Sequence, residues 1–311
     1  MKLWQKIVTS VALTLGIAGA GPAFGADEKT GSKDLVLKED ARCTVCHDEA
    51  DAPKLLHIGK TRHGAKGDGR TPTCTSCHGK SDKHVDYKGK DKPPKTDIAY
   101  GKDSKNTAEQ RSEACLTCHQ GGNRMHWAGS QHASGEVACS SCHQVHTQKD
   151  KVRDKATQAE VCFACHKTQR SDANKLSHHP VTEGKVACSS CHNLHGSAGP
   201  KLLIKNTVNE TCYTCHAEKR GPFLWEHPPA TDDCSVCHTP HGSNQPTLLK
   251  SRAPFLCGQC HQTSSGHPNV IRTGAGIAAT GAQAQVAYKA CMNCHTQVHG
   301  SNHPSGPRFA R

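Results

Sequence analysis

Aromatic side chains make up only 4% of the 311 residues, and apolar residues of all kinds only 34%. So little apolar mass cannot furnish a side-chain core for a chain of this length. Past the first 25 residues no apolar run is long enough to cross a bilayer as a helix, which excludes further membrane spans of that kind. Methionine is scarce, with three residues including Met1. What remains is rich in Lys, Gly, Pro and Ser, a composition that by itself resembles a half-disordered chain. Set against these absences are 20 Cys and 24 His. Something other than side chains has to supply the buried apolar interior.

The N-terminus reads as a secretory leader. Lys2 and Lys6 form its positive region, and Ile7 to Gly21 form a short apolar stretch interrupted by Thr9, Ser10 and Thr14. Pro22 and Ala23-Phe24-Gly25 then supply small residues for cleavage before Ala26. Residues 1–25 are therefore expected to be a signal peptide, with a retained membrane anchor as the rival reading that the short, interrupted apolar stretch disfavours, and the mature chain is expected to be soluble and outside the inner membrane.

Every cysteine falls in a Cys-x-x-Cys pair followed at once by His. In chain order the motifs are Cys43/Cys46/His47, Cys74/Cys77/His78, Cys115/Cys118/His119, Cys139/Cys142/His143 and Cys162/Cys165/His166. They continue with Cys188/Cys191/His192, Cys212/Cys215/His216, Cys234/Cys237/His238, Cys257/Cys260/His261 and Cys291/Cys294/His295. Two thiols three positions apart reach both vinyl groups of one haem, and the next His sits beneath its iron, so the motif reads as c-type haem attachment. A disulfide framework suits an exported chain but does not require the His. At the His frequency of this sequence, ten such coincidences have a probability on the order of 10⁻¹¹. Zinc ribbons leave the same His unexplained, and thioredoxin-type motifs need a βαβ setting. No cysteine is left for a lipid anchor. The cofactor expected is ten covalently bound haem c groups.

Ten motif histidines leave 14 others for the opposite face of each iron. That position matters: an open iron can bind and transform a substrate, whereas an iron between two imidazoles mainly carries electrons. The motifs fall into five units beginning at Cys43, Cys115, Cys162, Cys212 and Cys257, and the last four starts are 47, 50 and 45 residues apart, the spacing of stacked repeats. Each unit offers a middle His between its motifs: His63, His132, His179, His227 and His267. Each also offers a late His after its second motif: His84, His146, His195, His241 and His299. Four of the late set lie too near their own motif His to clamp the same haem, so they are expected to reach a neighbouring one. His57, His126, His178 and His303 are left over, and His57 and His178 remain alternatives to His63 and His179.

Thr107 with Gln110, Thr157 with Glu160 and Thr207 with Glu210 have capping-box spacing ahead of three first motifs. Elsewhere Gly and Pro punctuate too often for long elements. Residues 85–105 read as a Lys-rich linker or surface loop, and 268–288 as a Gly/Ala-rich insert. The expected fold is a multihaem cytochrome c: short helices and irregular loops wrapped on an elongated chain of ten haems, with little or no sheet. It divides into an N-terminal pentahaem half, 26–170, and a C-terminal pentahaem half, 171–311.

The formal charge of +12 falls to +10 once Lys2 and Lys6 leave with the leader. Twenty haem propionates and ten ferric irons bring the oxidised holoprotein near zero. A nucleic-acid partner therefore loses its electrostatic support, and no recognition motif restores it.

Between and around the motifs lie Arg62-His63-Gly64, Thr71-Pro72-Thr73-Cys74-Thr75-Ser76-Cys77-His78-Gly79, and Trp127-Ala128-Gly129-Ser130-Gln131-His132. Gly221-Pro222-Phe223-Leu224-Trp225-Glu226-His227 and His299-Gly300-Ser301 follow. In these segments the sequence, from about Cys43 to its C-terminus, resembles the periplasmic decahaem cytochromes of the MtrA, DmsE, PioA and MtoA group. The resemblance implies bis-His ligation and a narrow haem wire threaded through an outer-membrane β-barrel porin. Its N-terminal haems would face a periplasmic redox donor or acceptor, and its C-terminal haems an extracellular cytochrome or metal. A free periplasmic shuttle and a multihaem reductase, acting for example on nitrite or hydroxylamine, are the competing readings.

Overall fold

Thr107 opens the longest helix of the described residues, Ala108–Leu116. Its Oγ accepts from the Gln110 N–H at 3.2 Å, and Gln110 Oε1 accepts from the Thr107 N–H at 3.0 Å, a complete capping box. The structure is a computed structural model that describes residues 40–304 except 66, 102, 262–290 and 294. The leader, His267, Cys294 and the 268–288 insert lie outside the described residues.

The other two expected caps differ from the sequence reading. Thr207 accepts from the Glu210 N–H at 3.1 Å, but the Glu210 carboxylate turns to Arg220 at 3.2 Å, so only half the box forms. Thr157 makes no cap at all. Its hydroxyl donates to the Lys151 carbonyl at 2.8 Å and its backbone is already near-helical, so the helix Gln158–Phe163 starts without one.

Each haem-attachment motif is itself a turn of helix. In nine of them the His N–H donates to the first Cys carbonyl four residues earlier, at 2.9–3.0 Å, and Cys74–His78 is helical throughout. One helical turn sets both thiols on one side of the backbone. The described residues contain one sheet, of two residues per strand: β1 (Trp225–Glu226) antiparallel to β2 (Gly300–Ser301). No described helix is long and apolar enough to cross a membrane.

The buried apolar residues among those described are Ala138, Val152, Ala159, Ala173 and Ala187, and no large side chain is fully buried. Polar residues hold the units together instead. Asp40, Ser112, Gln158 and Asn209 are all buried, and each lies three or four residues ahead of a first-motif Cys. Asp40 Oδ1 accepts from the Cys74 N–H at 2.6 Å, and Ser112 Oγ from the Cys139 N–H at 3.3 Å. Gln158 Oε1 accepts from the Ser189 N–H at 2.9 Å, and Asn209 Oδ1 from the Cys234 N–H at 2.7 Å. In four units, therefore, one side chain caps the second motif and ties it to the first.

Asn209 also donates to the carbonyls of Ala230 and Thr231, at 3.1 and 2.9 Å. Asn209→Leu leaves these buried groups unpaired and is expected to cost about 1–3 kcal/mol per unpaired group. Denaturant unfolding of the holoprotein, followed by Soret circular dichroism, measures it; an unchanged midpoint would contradict the role.

Residues 86–106 are irregular, as expected of the Lys-rich stretch, but they fold back on the second motif. The Ser81 N–H donates to Asp97 at 2.7 Å, and the Tyr100 hydroxyl to the Cys77 carbonyl at 2.8 Å.

Candidate functional site

Number the haem-attachment motifs 1 to 10 in chain order. Nine motif histidines each face one non-motif histidine, with ring centres 6.0–6.3 Å apart. An imidazole nitrogen binds a first-row metal at about 2.0–2.1 Å and its ring centre lies ~1.1 Å behind it, so two imidazoles on opposite faces of one metal have centres ~6.3 Å apart. Ordinary ring stacking spans this range as well, but it would not pair one motif His with one non-motif His every time. The donor set and spacing fit an iron held between two imidazoles. Burial lowers the pKa of His63, His78, His119, His195, His241 and His299, which favours the neutral, metal-binding form. No three His, Cys, Asp or Glu side chains among the described residues converge as a bare metal-ion site would require.

The pairs follow a rule. At the first junction between units, His63 faces His119 of motif 3, and His146 faces His78 of motif 2. At the second, His132 faces His166 and His195 faces His143. At the third, His179 faces His216 and His241 faces His192. At the fourth, His227 faces His261 and His299 faces His238. Each unit sends its middle His forward to the next unit's first motif. It receives on its own second motif the next unit's late His. Among the described pairs, the first unit alone closes on itself, with His84 facing His47. His267 and the partner of His295 lie outside the described pairs.

Backbone contacts enforce this exchange. The middle His of one unit donates Nδ1–H to the carbonyl just ahead of the next unit's late His: His132 to Leu194, His179 to Pro240 and His227 to Val298, at 2.8–2.9 Å. The bridge Ser177↔Ser243 and the pairing of β1 with β2 join the same segments. Gly196 and Gly242 follow the late histidines where the preceding unit passes: an added Cβ would lie 2.1 Å from the His126 carbonyl oxygen and 1.9 Å from that of Asp172. Only glycine allows that approach.

Of the spare histidines, His178 has both ring nitrogens engaged, with the Lys175 carbonyl at 2.6 Å and Glu183 at 3.1 Å, while His179 faces His216. His57 and His126 face no motif His.

The thiols run in an unbroken order. Within units, the first cysteines of the two motifs touch: Cys43 with Cys74, Cys115 with Cys139, Cys162 with Cys188, Cys212 with Cys234 and Cys257 with Cys291. A hydrogen bond from Cys115 holds Cys139 down to about 6 in the free-thiol chain. Between units the second cysteines are neighbours: Cys77 and Cys118, Cys142 and Cys165, Cys191 and Cys215, Cys237 and Cys260. Haems attached at these thiols follow one another along the whole chain.

Cys46, the second cysteine of motif 1, does not enter the pairs of second cysteines just named, and like Cys118, Cys165, Cys191, Cys215 and Cys260 it is exposed. Its N–H donates to the Cys43 carbonyl at 3.3 Å within the motif turn. Cys294, the second cysteine of motif 10, lies outside the described residues.

A family model described as a doubled CXXCH motif matches residues 178–221 and 227–266, and one for NrfB-like c-type cytochromes matches 74–157. The multihaem cytochrome MtrA of Shewanella baltica is 43% identical over 290 residues, covering 92% of this chain and 85% of that protein. The chain belongs to the MtrA family. Like other members of that multihaem family it binds haem c covalently and transfers electrons, and its 20 cysteines fit ten haems. Outside the MtrA family proper, NrfB of Escherichia coli is 27% identical over 186 residues, which is 56% of this chain and 93% of NrfB. NrfB of Haemophilus influenzae is 29% identical over 148 residues, 41% of this chain and 65% of that protein.

The ring planes make an MtrA-family spectrum predictable site by site. Motifs 3 and 5 have near-perpendicular imidazoles, at 83° and 86°, whereas motifs 1, 4 and 8 have near-parallel ones, at 5–10°. Perpendicular axial imidazoles give highly anisotropic low-spin ferric signals, and parallel ones give rhombic signals. Electron paramagnetic resonance of the oxidised holoprotein should therefore show both classes, with the haems at motifs 3 and 5 in the highly anisotropic envelope. A single rhombic class would contradict the described ring orientations.

Proposed function

We propose that this chain is the haem wire of an outer-membrane conduit, carrying electrons between the periplasm and an extracellular acceptor or donor such as a metal. On this reading it sits inside a β-barrel porin, with a periplasmic redox protein at one end and an extracellular cytochrome or metal at the other. The leader supports export to the periplasm, and similarity to MtrA supports the barrel partner. The observation that carries the wire is the unbroken succession of neighbouring thiols from Cys43 to Cys291.

Haem, when bound, supplies a reversible one-electron couple at each motif. The protein's part is to hold, space and insulate. The two cysteines of each motif fix the porphyrin edge. In the nine described pairs the motif His and its facing His would hold the iron from both sides and leave no position for a substrate, so on this reading the chain is a carrier and not an enzyme. At motif 10 the remaining candidate opposite His295 is His267. The pentahaem halves meeting at residue 170 then divide haem number, while the ligand exchange runs through the boundary.

The test is assembly. Holoprotein mixed with an outer-membrane β-barrel porin from the same organism should form a stable complex. In liposomes that complex should pass electrons from an external reductant to an enclosed acceptor. Failure to associate with all haems in place would overturn the conduit. It would leave a free periplasmic shuttle, which the likeness of residues 74–157 to NrfB-like cytochromes favours as the second reading.

A further inference from the structure

Eight of the eighteen paired motif and facing histidines give Nδ1–H to a peptide carbonyl. His192 donates to Lys201 at 2.9 Å and His238 to Thr247 at 2.8 Å. To aim those carbonyls, Lys201-Leu202 and Thr247-Leu248 hold positive φ of 52–61°, a strained conformation for residues with a Cβ, repeated in two units. Motif 4 is built differently. After His143 the chain runs to Asp150 instead of a Pro-x-Leu-Leu turn, and Asp150 Oδ2 accepts from His143 Nδ1 at 2.6 Å. The Asp150 side chain is 15% exposed, and its second oxygen accepts from the Gln144 N–H at 3.3 Å. His143 is thus hydrogen-bonded to a carboxylate, whereas the Glu218 carboxylate stands 3.8 Å from His216, outside hydrogen-bonding range.

A carboxylate pulls on the Nδ1 proton harder than a carbonyl dipole and makes the ligand nitrogen more basic. A more basic ligand stabilises the ferric over the ferrous state. We propose that Asp150 is a potential-setting residue: through His143 it lowers the reduction potential of the haem at Cys139/Cys142 below that of its neighbours. It thereby places an uphill step at the fourth position of the wire. The proposal rests on axial ligation by His143 and His195, but not on the porin partner.

The test is Asp150→Asn in the full-length holoprotein, with Asp150→Glu as the rescuing variant. Asp154→Asn serves as control, removing one exposed negative charge nearby. In a spectroscopic redox titration, Asp150→Asn should raise the potential of one haem in ten. Its oxidised-to-reduced ratio at fixed potential should change about tenfold, or about 59 mV for one electron. Asp150→Glu should restore the wild-type curve, and Asp154→Asn should leave it unmoved. A superimposable Asp150→Asn titration with every haem still low-spin would overturn the role of Asp150. A high-spin haem in the wild type at this position would instead overturn the ligand pairing. If Asp150→Asn does not load haem, the wild type decides by near-infrared magnetic circular dichroism. One-tenth of the charge-transfer intensity shifted towards imidazolate-like ligation supports the proposal, and ten neutral bis-imidazole haems refute it.

Discussion

Replacing His146 with alanine will open one iron, and that iron will be the one at Cys74/Cys77, two motifs back along the chain. His146 lies three residues from His143, yet its ring centre is 6.2 Å from that of His78. The Leu55 carbonyl, 91 positions away in sequence, accepts from its Nδ1 at 2.7 Å and fixes the ring there. The reduced variant should bind one equivalent of carbon monoxide per chain and the oxidised form should gain a high-spin signal, whereas the wild type should show neither. Triple variants locate the opened site. Adding Cys74→Ser and Cys77→Ser should abolish carbon monoxide binding, because the opened haem is then never attached. Adding Cys139→Ser and Cys142→Ser should leave it intact. The opposite pattern would mean that a late His serves its own motif and would dissolve the reciprocal exchange between units.

The second large effect is total. Expressed without the haem-attachment machinery, the exported chain should not fold at all, rather than fold with a lowered melting temperature. Its described buried apolar residues are four alanines and one valine, and burial of that size cannot offset the conformational entropy of ordering the chain. Val45, Leu176, Leu224 and Phe255, by contrast, are all more than 60% exposed on the polypeptide. Val45 lies inside its motif and Phe255 two residues ahead of Cys257, where a porphyrin is within reach to cover them. The apoprotein should give a random-coil circular dichroism spectrum and rapid proteolysis. A cooperative thermal transition in the apoprotein would contradict a haem-built interior.

Cysteine and histidine order made much of this site legible in advance, because thioether chemistry fixes the spacing of Cys-x-x-Cys-His whatever the surrounding fold. The division into middle and late histidines was legible for the same reason. Which late His meets which motif was not, since that depends on the backbone crossings at Ser177↔Ser243 and β1–β2, whose two-residue pairings carry no periodic signal. Asp40, Ser112, Gln158 and Asn209 were missed because they are of four residue types. Only their place, three or four residues before a first cysteine, marks them. Thr157 misled because capping-box spacing specifies a geometry that the residue reaches only with extended backbone, and here the Lys151 carbonyl takes its hydroxyl. Asp150 left no trace in motif spacing, since an acid in a Lys-rich stretch reads as a solvated charge until its distance to His143 is known.

Iron-edge anomalous diffraction from crystals of the holoprotein puts the matter most directly. The account predicts ten iron positions in one line, with those of motifs 2 to 9 each midway between a motif His and a His contributed by an adjoining unit. Irons with water or an open face opposite the motif His, or a facing His drawn from the iron's own unit at those positions, would contradict it.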